Sequence, residues 1–332
     1  MAIVARVSPR TRIVVVVSVL GLAAGGAVAG VALVTGGGEA KQATNGAVTR
    51  PRKGPPPLVL DLGVRADAQA AALRRAEALY NRGDHKGAAR IFTRYGSTPA
   101  QVGFAFSSWP NGTLARMRTI AGDHPRDAFV LLHLGLASFW AGRNAEAVAA
   151  WRAAERTDPD TPSAVAADDL LHPGFPRGLP AFVPSFSPPD SVQRLPPGRQ
   201  LAALAHAAVS GGARAKILYG VTLQHLGHPV SAKRWFARAA AQAPGNAEAQ
   251  VAADVGRFTK ANPSAAFSRL GPLVRRFPRA PTVRFHLALL LLWLGRIDAA
   301  KRELVLAKRE GPTTPIGREA GRFLARLESI QK

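Results

Sequence analysis

Five prolines, Pro125, Pro159, Pro244, Pro278 and Pro312, stand 34, 85, 34 and 34 residues apart, and the long gap equals two such intervals plus 17. A fixed period of this size means a repeated unit, each a small supersecondary element that a proline ends. The clearest copy runs from Phe129 to Pro159. Leu131, Leu134, Gly135 and Ser138 lie on its first helix, and Ala141-Gly142-Arg143-Asn144 makes the turn. Ala147, Trp151 and Ala154 form the apolar stripe of a second helix, at the spacing of one helical face. A small residue where two helices cross lets their backbones approach, and a large apolar residue fills the space beside it.

Other copies repeat these residue types. Ala76, Gly83, Ala88 and Phe92 make an early one, and Tyr219-Gly220, Gly227, Ala232, Phe236 and Ala239 precede Pro244. Leu287-Ala288, Leu291, Gly295, Ala300, Leu304 and Ala307 precede Pro312. Ala247 to Pro278 is a weaker copy that keeps Ala266 and Leu270 but has Asp254 and Ala261-Asn262 where glycines are expected; Thr113 to Ala121 reads as the second helix of a degenerate pair, with Thr113 as its cap. The pattern resembles the tetratricopeptide repeat (TPR), W-x2-L-G-x2-Y, then A-x3-F, then P, with Leu131 and Ser138 in place of the Trp and the Tyr. The resemblance implies an all-α fold: a right-handed superhelical solenoid of antiparallel helix pairs over residues 65–316. A capping helix over 317–332 would turn Phe323, Leu324 and Leu327 inward and Arg318, Arg322 and Arg326 outward.

Residues 13–34 form 22 uncharged residues, about the ~20 that cross a bilayer as a helix. Arg6, Arg10 and Arg12 precede them, so the positive-inside rule expects a basic cytoplasmic tail over 1–12, a transmembrane signal-anchor over 13–34 and an extracytoplasmic remainder. A signal peptide cleaved near Ala27-Val28-Ala29 is the competing reading. Residues 35–64, rich in Gly and Pro, read as a flexible linker.

Inside the long gap, Ser163 to Leu171 and Arg199 to Val209 read as one hairpin split by a Pro- and Phe-rich insertion over 172–198. Loops of that length are uncommon in compact domains. Phe175, Phe182 and Phe186 either pack on the repeats like a buckle or form a docking segment. In TPR proteins ligands usually lie against the first helix of each repeat. That carries over to Phe129, Leu132, Leu136, Phe139 and Trp140 in the best copy and to Phe285, Leu289, Leu292 and Trp293 in the last. These are apolar, and the Lys and Asn of carboxylate-clamp members are missing. The groove therefore takes an apolar helix or extended segment, or is filled by the insertion.

Forty-four Lys and Arg against 21 Asp and Glu give +23, which favours anionic partners. Part of the Arg excess, beside abundant Ala, Gly and Pro, is the codon bias of a GC-rich genome. Second helices carry Arg152, Arg156, Lys233, Arg234, Arg238, Arg275, Arg276, Lys301, Arg302, Lys308 and Arg309. With no cysteine, thiolate chemistry is excluded. His225 with His228, and Asp168, Asp169 and His172, lack the further ligands or nucleophile that a metal or catalytic site needs. No catalytic residue, metal or cofactor is expected, and the chain is not read as an enzyme. The expectation is a membrane-tethered scaffold mediating protein–protein interaction or complex assembly at the extracytoplasmic face of a bacterial plasma membrane, its partners other envelope proteins. The alternative is a basic solenoid binding lipid head groups or wall polymer; nucleic acid would require it to be cytoplasmic.

Overall fold

The computed structural model describes residues 53–331. The tail, the anchor and the part of the linker up to residue 52 lie outside the described residues. So does the membrane orientation read from them.

Among the described residues there are sixteen helices and no strand, and the chain divides into two compact units at Gly174/Phe175. The first unit holds α1 (Ala68–Asn81), α2 (His85–Phe92), α3 (Thr98–Ser107), α4 (Thr113–Asp123), α5 (Ala128–Trp140), α6 (Asn144–Thr157) and α7 (Pro162–Leu171). The second begins with a single turn, α8 (Asp190–Gln193), and α9 (Pro197–Ser210). It continues with α10 (Ala213–His225), α11 (Pro229–Gln242), α12 (Ala247–Val255), α13 (Ser264–Arg276), α14 (Pro281–Trp293), α15 (Ile297–Glu310) and α16 (Pro315–Gln331). In each unit every helix packs on the next in chain order, which is how stacked hairpins bury faces that none could bury alone.

One turn is used four times. Gly83, Gly142, Gly227 and Gly295 have φ of 89°, 75°, 78° and 67°, the left-handed region that a side chain resists. In each case the following residue donates its N–H to the carbonyl five residues back: Asp84 to Leu79, Arg143 to Ser138, His228 to Leu223, Arg296 to Leu291. This closure satisfies carbonyls that the end of the first helix leaves open. The second helix then starts at once, antiparallel to the first.

The crossings bear out the small-against-large reading. A Cβ added to Gly135 would lie inside the Trp151 indole, and one added to Gly220 would sit 2.5 Å from the Phe236 ring. Phe92, Met117, Trp151, Phe236, Leu270 and Leu304, one from each second helix, are at most 1% exposed. Gly220→Val is therefore expected to cost about 1–3 kcal/mol through overpacking, read as a lower denaturation midpoint; a midpoint equal to wild type would refute the close crossing. The weak copy lacks the left-handed turn: α12 stops at Val255, its cap Gly256 has φ −64°, and Phe258 beyond it is 5% exposed.

The two helices expected to make one split hairpin fall in different units: α7 packs on α5 and α6 in the first, and α9 packs on α10 in the second. Two other expectations are corrected. Thr113 is not a cap. Gly112, at φ 74°, holds that position, and the buried Thr113 hydroxyl donates to the Ala105 carbonyl at 2.9 Å. The linker read over 35–64 does not run to residue 64, because Pro56, Leu58, Leu60 and Leu62 are buried against α1 and its neighbours. Gly and Pro content hid an alternating apolar pattern.

Phe323, Leu324 and Leu327 of α16 pack against α14 and α15, and Arg318, Arg322 and Arg326 are exposed, as the pattern implied. No helix among the described residues is long and apolar enough to cross a membrane.

Candidate binding groove

Each unit presents its first helices to an extended stretch of its own chain. In the second unit that stretch is residues 179–186, Leu-Pro-Ala-Phe-Val-Pro-Ser-Phe. Pro180 and Pro184 hold it extended and supply no N–H, leaving amides at 179, 181, 182, 183, 185 and 186. Three of these six are received by side chains, one from each of three helices. Phe182 N–H donates to Gln224 Oε1 of α10 at 2.9 Å, Val183 N–H to His286 Nε2 of α14 at 2.9 Å, and Ser185 N–H to Glu248 Oε1 of α12 at 3.0 Å. Gln224 Nε2 also donates to the Pro180 carbonyl at 3.0 Å, so one amide grips the strand at two points. The Phe182 ring, 1% exposed, stacks on His286 with centroids 4.6 Å apart and planes 13° apart, and meets Phe236 edge-on at 5.9 Å. Phe186 lies under the Arg214 guanidinium at 4.4 Å, and Phe175 is half-buried.

His286 is set for this task from below. Its Nδ1 lies 2.7 Å from the Thr282 carbonyl one turn earlier. That carbonyl can only accept, so Nδ1 carries the proton and Nε2 faces the strand as an acceptor. Burial pushes the ring down to about 4 and keeps it neutral, while burial pushes the Glu248 carboxyl above its usual range.

The first unit repeats the arrangement with residues 56–62. Pro56, Leu58, Leu60 and Leu62 turn inward, and Val59, 63% exposed, turns out. Leu60 N–H donates to Glu77 Oε1 at 2.9 Å, Tyr80 Oη donates to the Pro56 carbonyl at 2.7 Å and Asn81 Nδ2 to the Leu58 carbonyl at 3.4 Å. Burial raises both the Glu77 carboxyl and the Tyr80 hydroxyl. His133 occupies in α5 the place of His286 in α14: each is two residues before the crossing residue, Gly135 or Ala288. His133 Nδ1 lies 2.8 Å from the Phe129 carbonyl, and its ring is held down to about 4 by burial. Its Nε2 finds no hydrogen-bond partner.

These strands change the meaning of the residues carried over from the TPR resemblance. None of the nine is exposed. Phe129, Leu132 and Leu136 belong to the cluster that contains Leu58, Leu60 and Leu62. Phe139 meets Trp151 at 5.8 Å and Trp140 at 5.5 Å. Phe285 packs on Phe323 of the last helix at 5.6 Å and Leu289 joins the same cluster; Trp293 meets Phe258 at 5.7 Å, and Leu292 is half-buried. They are not an open apolar surface. Sequence pattern does not single out the residues that hold the strands, Gln224, Glu248, His286, Glu77 and Tyr80; the signal at His286 is a polar residue inside an apolar first helix, Phe285-His286-Leu287.

His172 Nδ1 lies 2.8 Å from Asp168 Oδ1, and Glu155 joins them closely enough to share an ion. His225 is half-buried, and desolvation pushes its ring down, which favours the neutral form.

No protein family and no curated protein matches the chain. Solved structures similar to it are Cut9 in a hetero-tetramer of the APC/C with Hcn1, a tetratricopeptide repeat protein from Parabacteroides merdae, and yeast Tom70. Identities are 14%, 11% and 11%, and TM-scores 0.33, 0.33 and 0.31. The matches cover 80%, 78% and 82% of this chain, and 50%, 98% and 62% of those chains. The chain thus spans half the length of the Cut9 chain. Superpositions of that quality place no residue. The TPR-like character rests on the chain's own helix pairs, turn glycines and crossings.

Proposed function

We propose that the chain is a helical-repeat scaffold for other proteins, tethered by residues 13–34 at the extracytoplasmic face of a bacterial plasma membrane. The observation that carries the scaffold reading is that both units hold an extended, apolar stretch of chain along their first helices, gripped through its main chain by fixed side chains. A surface that holds a strand this way suits the segments of assembly partners. The tether is supported by the 22 uncharged residues and by Arg6, Arg10 and Arg12 before them.

The test is in the native membrane. Reporter fusions after Val34 should be active outside the cytoplasm. Photo-crosslinkers at Trp140 and Leu292, half-buried on first helices, should capture discrete envelope proteins, and one at Arg302 should not. Cytoplasmic reporters, or capture from Arg302 alone, would contradict the reading.

Charge favours a second reading. The stretch 175–332 holds 24 basic and 8 acidic residues, a net +16 of the chain's +23. Lys233, Arg234, Arg238, Arg275, Arg276, Arg302, Lys308 and Arg309 are exposed on its second helices, suiting an anionic head-group or wall-polymer surface. Binding to vesicles of anionic lipid should then fall steeply between 50 and 200 mM salt, by orders of magnitude rather than a few-fold. Binding indifferent to salt would exclude it.

A further inference from the structure

Resting on the scaffold reading, we propose that residues 179–186 are a displaceable internal ligand, and that the seats they occupy belong to an extended partner segment of the same chemistry: an aromatic residue followed by a β-branched aliphatic residue and a proline.

The seats are built, not incidental. Gln224, Glu248 and His286 come from α10, α12 and α14, three different repeats, yet their acceptor atoms follow successive amides of one strand. The Phe182 ring fills a slot between His286 and Phe236, so an aromatic side chain is read there and the main chain on either side of it. Val183 packs beyond the slot toward Phe285 and Leu289, where a branched aliphatic side chain fits. Pro180 and Pro184 are buried and flank it.

The attachment suits exchange. No backbone–backbone hydrogen bond joins residues 179–186 to any helix among the described residues. The strand leaves without breaking a helix, and its prolines keep it extended once free. Residues on both sides, Pro176 and Arg177 before it and Ser187 and Pro189 after it, are exposed. An incoming segment gains the same three acceptors that the internal one gives up. Strand exchange is therefore nearly balanced, and the outcome follows the partner's local concentration and the fit of its aromatic residue.

The experiment uses the full chain and two readouts. In the wild type, hydrogen exchange at Phe182, Val183 and Ser185 should be at least about a hundredfold faster than at the central amides of α14, since the strand opens without the helices. A fluorescent peptide, Leu-Pro-Ala-Phe-Val-Pro-Ser-Phe, should bind a Phe182→Ser, Val183→Ser variant at least about tenfold more tightly than wild type, and Phe→Ala in the peptide should abolish binding. Strand amides that exchange only as slowly as α14 would overturn the proposal. So would a helical variant that ignores the peptide; if the variant unfolds, the wild-type exchange rates decide alone. They involve no partner, so a locked strand sinks this inference and leaves the scaffold reading to its crosslinking test.

Discussion

Truncating Trp151 to alanine should lower the stability of the first unit by about 3–5 kcal/mol, and Phe236→Ala should do the same in the second. Each ring is at most 1% exposed and packs onto a first-helix glycine that leaves room for it and for nothing larger. Trp151 also donates its Nε1–H to the Leu132 carbonyl at 3.3 Å, and it meets Phe139. Loss of either ring opens a cavity whose walls are helix backbones, which collapse poorly. Urea unfolding followed by circular dichroism reads the effect directly; a midpoint equal to wild type in either variant would contradict the packing register.

Acid should destabilise the chain chiefly through two residues that titration curves can separate, with His225, also lowered by burial, adding in the same direction. His133 and His286 are both fully buried with rings held down to about 4, against 6.5 when unfolded. Between those values the unfolded chain binds protons that the folded chain refuses. Their contribution is complete above pH 6.5 and is lost as pH falls toward 4, at about 1.4 kcal/mol per pH unit for each ring and about 3 kcal/mol in all for each. Glu77, Glu248 and Asp254, raised by burial, act in the opposite direction and are shared by every variant, so each variant is read against wild type between pH 5 and 6.5. His133→Leu should reduce the slope there by about 1.4 kcal/mol per pH unit and leave stability at pH 7 equal or higher, because the unpartnered Nε2 costs about 1–3 kcal/mol. His286→Leu should reduce it by a like amount and also destabilise at pH 7, since Val183 N–H loses its acceptor. A slope between pH 5 and 6.5 unchanged from wild type in both variants would refute the neutral buried rings.

The helix pairs were legible because their determinants are local and periodic. Gly83, Gly142, Gly227 and Gly295 mark turns through their backbone conformation, and Phe92, Trp151, Phe236 and Leu304 mark crossings through size; both recur at fixed offsets. The strands were harder. Residues 56–62 and 179–186 have no helical period, and their Pro content suits linker, lid and groove strand alike. What decides among these is distant: Glu248 is 63 residues from Ser185, and His286 is 103 from Val183. His133 and His286 sit inside apolar helices, where the periodicity that defines the core does not separate an acceptor aimed at a strand from a neutral core residue. The division into two units was hidden for a related reason: the boundary at Gly174 has no repeat signal of its own.

Nitrogen-15 NMR of His286 in the full chain tests most directly the seating of the strand on a buried, neutral histidine. The predicted result is an Nδ1–H tautomer that stays neutral down to a pH near 4, with a coupling across the hydrogen bond from Val183 N–H to Nε2. A ring that titrates near 6.5 and shows no coupling to Val183 would contradict it.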